Sequence, residues 1–436
     1  MAKESQRRRK NAKKRNRNQP TTTIDDLTDE LLELIFLGLN SPACLIRAAS
    51  SCKRWRYVIA DADGGAAFLR RFRSLHEPPL IGHYGYPVDT YPPCSFGRNH
   101  CFPNEDPVFV PSSACTGRDL TLDFVPSTNV AMREVVDSRG SLLLLLNDKV
   151  VWLTRDDSWY YYDGDRMVPD LVICEPLTRR YKAITPVQDR VCIIGVFLLD
   201  GDDDDEAGSG AIGMDNFRVI LVLYDPNYDQ RDEYRSGSPY IYVTTCDSNG
   251  IRHVSICDTS MDAVSLPRPE EVHLAGRTGG RIYWCCKDEQ VVVLDESTFK
   301  FSTMALPDRM KWNFHTEKTF RVLGGSDGGT LCIVRVTDDG DLEVYHQLHG
   351  RSTGDWVLEK SVWLAEASRG LPGRKDDYIA RTPNIIRVQE GSVVLSPDKE
   401  TWLFSVDIET MELTRENRRN QLAGPVYTLT YDGYDE

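Results

Sequence analysis

The feature that most limits what this chain can fold into is a recurring strand-and-turn grammar. Residues 279–307 read G-G-R-I-Y-W-C-C-K-D-E-Q-V-V-V-L-D-E-S-T-F-K-F-S-T-M-A-L-P: a Gly-led strand, a polar turn, a second strand, an acidic turn and a third strand. Residues 391–414 follow the same order, with V-D-I-E-T-M-E standing against L-D-E-S-T-F-K. Residues 139–186 match with a longer middle, and 328–348 form a weaker copy. Short apolar runs bounded by Gly, Asp and Pro are strand chemistry. Units of about 40–50 residues imply radial stacking into a propeller, and 119–430 holds about six of them by that spacing. No long helical period interrupts the strands, so an all-β body is expected rather than a parallel α/β sheet. A β-sandwich or two small sheets would use the same strands and stays open at this point.

The N-terminal stretch has a different period. Between Leu31 and Leu39, seven of nine residues are large and apolar (Leu31, Leu32, Leu34, Ile35, Phe36, Leu37 and Leu39). At roughly 100° per residue only the sector around Glu33 is clearly polar, so such a helix buries more than one face. The surrounding unit has fewer than about 50 residues, too few for a self-sufficient core. One face is therefore expected on its own neighbours and another on a different protein. Thr28 can cap a helix that starts at Asp29, and Gly38 and Asn40 are stop signals. Ser41-Pro42 opens a second helix to about Ser51, Lys53 to about Asp61 a third, and Ala66–His76 reads as one more amphipathic helix.

These readings divide the chain into a basic tail (1–23), a helical module (24–63), a connecting segment (64–118), the β body (119–430) and an acidic tail (431–436). The connecting segment is assigned on its eight prolines between 77 and 118, with the aromatics and Gly among them.

Charge is unevenly distributed. Residues 1–20 hold nine Lys or Arg against Glu4, which leaves −22 of the net −14 on the other 416 residues. An acidic body argues against a nucleic-acid partner. The basic run containing Arg7, Arg8, Arg9, Lys10, Lys13, Lys14 and Arg15 fits a nuclear-import signal as well as a solvated tail. No run reaches the ~18 apolar residues of a membrane span, and no secretory signal is read, so nucleus or cytoplasm with reduced thiols is expected for the twelve Cys.

The sequence carries no recognisable catalytic or metal-binding motif. Cys94, His100, Cys101 and Cys115 lack the paired spacing of a zinc site. The acidic run from Asp200 to Glu206 lacks the Gly and Glu of a calcium loop and reads as an insertion between strands. Adjacent Cys285 and Cys286 point to opposite faces of one strand. There is no G-x-S-x-G elbow and no phosphate-binding loop. Trp152 and Trp159–Tyr162 read as blade packing rather than a ligand platform. No cofactor, metal or intrinsic catalysis is expected.

Residues 24–60 combine L-T-D-E-L-L-E-L-I-F-L-G-L with L-I-R-A-A-S-S-C-K-R-W-R, and this resembles the F-box. F-boxes are three-helix modules that dock on the SKP-type adaptor of cullin–RING ubiquitin ligases. Further stretches, F-L-R-R-F-R-S-L-H (68–76), D-P-V-F-V-P-S (106–112) and F-R-V-L-G-G-S-D-G-G (320–329) among them, resemble the F-box families of grasses, whose associated C-terminal domain is propeller-like. The resemblance implies a substrate receptor: the F-box holds the adaptor, and through it a cullin, while the β domain holds an unidentified target. It places Leu27, Thr28, Leu31, Ile35, Leu39, Leu45, Cys52 and Trp55 at the adaptor. Thr28 stands where the family usually has Pro, which motivates a rival reading as a binding scaffold that has lost the ligase. A glycan- or metabolite-binding β domain, or an enzyme, fused to an F-box is the third.

Overall fold

In the computed structural model, the described residues are 24, 27–39, 42–61, 66–76, 79–87, 106–112, 120–126, 134–146, 154–155, 158–159, 171–184, 192–200, 212–228, 234–247, 250–256, 264–268, 271–286, 290–306, 308–310, 319–324, 330–347, 356–371, 383–389, 391–397, 403–416 and 422–430. They divide into two compact units between Pro79 and Leu80. Both expected tails lie outside the described residues.

The first unit is helical: α1 (Asp29–Leu37), α2 (Pro42–Ser51), α3 (Lys53–Arg56) continuing as a wider π-type turn (Tyr57–Asp61), and α4 (Ala66–Leu75). Pro42 opens α2, where a missing N–H costs nothing. The Gly38 N–H closes α1 on the carbonyls of Leu34 and Ile35. Leu32, Phe36, Leu37, Leu45, Ala48, Val58 and Ile59 form one core together with Phe68 and Phe72 of α4. Residues 66–76 thus pack with the helices before them, against the expected break after residue 63. The break rests on Asp61-Ala-Asp-Gly-Gly65, whose composition says nothing about where the next helix docks.

The second unit is a six-bladed propeller. Five blades are four-stranded antiparallel meanders. Blade 1 holds β3 (Glu134–Arg139), β4 (Leu142–Leu146), β7 (Leu171–Glu175) and β8 (Arg180–Ile184); a separate hairpin, β5 (Thr154–Arg155) with β6 (Ser158–Trp159), lies between β4 and β7 in sequence. Blade 2 holds β9 (Cys192–Asp200), β10 (Phe217–Tyr228), β11 (Tyr234–Asp247) and β12 (Gly250–Ile256). Blade 3 holds β13 (Val272–Thr278), β14 (Arg281–Cys286), β15 (Gln290–Asp295) and β16 (Phe301–Ala305). Blade 4 holds β17 (Phe320–Gly324), β18 (Leu331–Val336), β19 (Asp341–Gln347) and β20 (Trp356–Trp363). Blade 5 holds β21 (Asn384–Gln389), β22 (Ser392–Ser396), β23 (Phe404–Asp407) and β24 (Leu413–Arg415).

Blade 6 joins the two ends of the unit. β25 (Leu422–Thr430) pairs with β1 (Leu80–Pro87), which pairs with β2 (Val108–Pro111). The expected connecting segment therefore contributes two strands, and the propeller begins at Leu80 rather than 119. Pro87 and Pro111 stand at strand ends, where proline is tolerated. They gave the segment its irregular look.

Blades bury both faces, which excludes the sandwich. In β4, Leu142 and Leu144 enter the core shared with blade 2, while Leu143 and Leu145 enter the core shared with blade 6. That two-sided burial explains a run of five leucines where a half-exposed strand would alternate. Cys285 and Cys286 part in the expected way: Cys285 faces blade 4 and Cys286 faces blade 2. Burial pushes the Cys285 thiol up to about 12, so it stays protonated and acts as a small apolar group.

Candidate functional site

On α1 the surplus of apolar residues resolves into two faces. Leu32, Phe36 and Leu37 are buried in the unit's own core. Leu31, Leu34 and Ile35 are 48%, 60% and 46% exposed. Their i, i+3, i+4 spacing makes one stripe. Ile46 of α2 and Tyr57 after α3 are also more than half exposed. Arg47, Lys53 and Arg56 are exposed cations on the same two segments. Three exposed apolar groups in one stripe on one helix make this face the candidate site.

The turn that leads into α1 is held from α3. Arg54 donates through Nε to Asp29 Oδ1 at 2.9 Å and through Nη2 to the Leu27 carbonyl. Thr28 takes the capping position with extended backbone, but its hydroxyl makes no bond to the helix N–H groups. It bonds the Glu30 side chain instead and holds that carboxyl below its ordinary value. The expected threonine cap is thus replaced by a clamp that no local pattern announces, because Arg54 lies 25 residues from Asp29.

The other expected residues scatter. Leu45 is buried in the unit's own core. Leu27, Leu39 and Trp55 pack against that core, Trp55 edge-on to Phe36 with ring centres 5.3 Å apart. Cys52 is exposed and its sulfur accepts from the Trp55 N–H at 3.5 Å, capping α3. Leu34, Ile46 and Tyr57, which the structure leaves exposed, are not among the expected residues; Leu34 is recoverable from its spacing to Leu31. Arg7–Arg15 lie outside the described residues.

In the propeller, the charged groups converge near the ends of three inner strands. Arg277 of β13 donates from Nε and Nη2 to both Glu296 oxygens at 2.7 and 3.0 Å. The same guanidinium reaches Asp137 Oδ2 of blade 1 at 2.9 Å and the Leu198 carbonyl of blade 2 at 2.6 Å. Asp137 also accepts from the Leu198 N–H at 2.7 Å, and Arg139 pairs with Asp200. Burial pushes the Asp137 carboxyl up, and Arg277 opposes that shift. The two guanidiniums spend these bonds on Glu296 and on acids and a carbonyl of neighbouring blades, so the arrangement ties blades together. Asp200, the first residue of the acidic run, is taken up by this cluster; the rest of the run, Cys94–Cys115 and the Trp152–Tyr162 side chains lie outside the described residues. Among the described residues no group of three or more His, Cys, Asp or Glu could hold a metal ion, and no helix is long and apolar enough to cross a membrane.

The family model described as "F-box protein AT5G49610-like, beta-propeller" matches residues 240–415, from within β11 to the end of β24. That part of the chain is similar to the propeller of an F-box protein. No curated protein matches the chain. Among solved structures, YCF48 from Cyanidioschyzon merolae is 10% identical, with 79% of this chain and 88% of that one covered and a TM-score of 0.37. The luciferin-regenerating enzyme is 10% identical over 71% and 78%, with a TM-score of 0.33. A prolyl endopeptidase is 11% identical over 65% of this chain, which spans 36% of that protein's length, with a TM-score of 0.32. Likeness at this level carries nothing about chemistry.

Proposed function

We propose that this protein is the substrate-recognition subunit of an SCF-type cullin–RING ubiquitin ligase. Its helical unit acts as an F-box that docks on a SKP-type adaptor, and its propeller binds a target protein. The observation that supports this best is a helix whose second apolar face, Leu31, Leu34 and Ile35, has no cover within its own unit. It occurs in a chain whose residues 240–415 match the propeller family of F-box proteins.

The mechanism is proximity. One end of the chain holds the ligase and the other holds the target, so target lysines meet the ubiquitin carrier at raised effective concentration. The chain itself performs no bond chemistry in this reading. Arg54 bears on the rival in which Thr28 disables docking: its bonds to Leu27 and Asp29 fix the turn that proline fixes elsewhere in the family.

Leu31→Asp with Ile35→Asp is expected to abolish co-purification with a SKP-type adaptor while residues 80–436 keep their cooperative melting. Retention of the adaptor by that variant would overturn the docking assignment. We also propose a nuclear as well as a cytoplasmic location, carried by the basic tail; deleting residues 1–20 should lower the nuclear fraction of a fluorescent fusion.

A further inference from the structure

We propose that α4 is a working part of the docking unit, a buttress that sets the orientation of the α1 docking face. This rests on the adaptor-docking reading above. α1 has nine residues, short of the ~12–15 at which an isolated helix becomes even marginally stable in water. The side chain of its capping residue, Thr28, accepts from none of the helix N–H groups. Its position must come from packing.

α4 supplies that packing from behind. Taking Leu31 as 0° and advancing about 100° per residue, Leu34 and Ile35 fall within about 60° of it, whereas Leu32, Glu33, Phe36 and Leu37 fall between about 100° and 240°. Phe68 and Phe72 of α4 lie in the core formed by Leu32, Phe36 and Leu37. On the same side, Arg71 Nη1 meets Glu33 Oε1 at 2.5 Å. At the C-terminal end of α1, His76 Nε2 lies 2.7 Å from the Leu37 carbonyl oxygen. A carbonyl only accepts, so the ring carries its proton on Nε2 and donates. The His76 ring is itself held against Phe72, centre to centre 4.2 Å. These contacts leave Leu31, Leu34 and Ile35 uncovered while gripping the opposite side of the same helix.

The consequence is that 24–61 is not the whole docking unit: it extends to His76, and Arg71 and His76 are positioning residues for a surface they do not touch. The test uses the full chain and a purified SKP-type adaptor. His76→Leu removes the donor to Leu37 and is expected to weaken adaptor binding about fivefold. His76→Gln, whose amide still donates, should stay near the wild-type value. Arg71→Glu adds a further loss of about two- to fivefold, and combining it with Glu33→Arg should recover that share. Amide exchange of residues 32–37, measured without adaptor, should quicken in His76→Leu and leave blade strands unchanged. Wild-type binding and exchange in His76→Leu with Arg71→Glu would overturn the buttress while leaving the docking reading intact. A wild-type chain that binds no adaptor overturns the docking reading and this proposal together.

Discussion

A half-buried and a buried arginine show that burial alone does not say what a charge contributes. Arg277 spends its guanidinium on Glu296, Asp137 and the Leu198 carbonyl, and so ties three blades. Arg387 of β21 is more deeply buried, with 7% of its side chain exposed, yet among the described residues its Nε has no hydrogen-bond partner, and Glu416 stands 3.8 Å from its Nη2. Burial lowers its pKa accordingly. Removing one partner from a satisfied buried pair leaves uncompensated charge, so Arg277→Met should cost about 3–5 kcal/mol. Removing an unsatisfied one relieves desolvation, so Arg387→Met should leave stability unchanged or raise it. Denaturant unfolding of the two variants checks both signs; a large loss in Arg387→Met would show that Glu416 is a stronger partner than its distance implies. Neither role was legible in the sequence. Asp137 and Arg277 are 140 residues apart, and no period links them.

At the scale of elements, the repeat was legible because it is written in turn chemistry. The acidic turns that close the third and fourth strands share one construction. Asp295 accepts from the N–H and hydroxyl groups of Ser297 and Thr298, and Asp407 from both groups of Thr410. Glu175 accepts from the Thr178 hydroxyl. Four residues after each acid the backbone turns left-handed: Arg179, Phe299 and Met411 have φ of 57°, 55° and 58°. The L-D-E-S-T-F and V-D-I-E-T-M strings are this turn spelled out. Their donors hold the Asp295 and Asp407 carboxyls below the ordinary value of 3.8. A folded-state pKa below the unfolded one adds stability that is present above the unfolded value and is lost as pH falls through the folded one. Asp295→Asn with Asp407→Asn should therefore flatten the fall in melting temperature below about pH 4, with little change of fold because the amide oxygen still accepts. Equal acid slopes in variant and wild type would mean the turns do not set that limb. Packing between elements was less legible. Gly276 of β13 gave no sequence signal, yet a Cβ there would lie 2.1 Å from the Val322 carbonyl of the next blade.

At the scale of the molecule, the ring closes through a blade that the sequence could not display as a repeat. Its inner strand is the last of the chain and its outer strands are the first of the unit, so residues paired in register, such as Tyr84 with Tyr427, are more than 300 apart. Local grammar finds four of the five blades built from consecutive strands, 1, 3, 4 and 5, and passes over blade 2, whose strands are long, as well as the sixth. The closure is reinforced on the N-terminal side: Tyr84 donates to the Leu120 carbonyl at 2.5 Å, and the Tyr86 hydroxyl accepts from the Val135 N–H of β3 at 3.0 Å. Ile81, Tyr84 and Leu429 share one core with Leu143, Leu145 and Val172 of blade 1. A chain starting at 119 would leave β25 without its hydrogen-bonding partner and open that core to water. An unpaired strand edge and exposed apolar surface are together an aggregation hazard. A chain of residues 80–436 should therefore be soluble and melt in one cooperative transition, whereas 119–436 should aggregate or unfold without a sharp midpoint. Size-exclusion chromatography and thermal melting separate the two. If 119–436 melts as sharply and at the same temperature, strands β1 and β2 are dispensable and the ring does not depend on joining its ends.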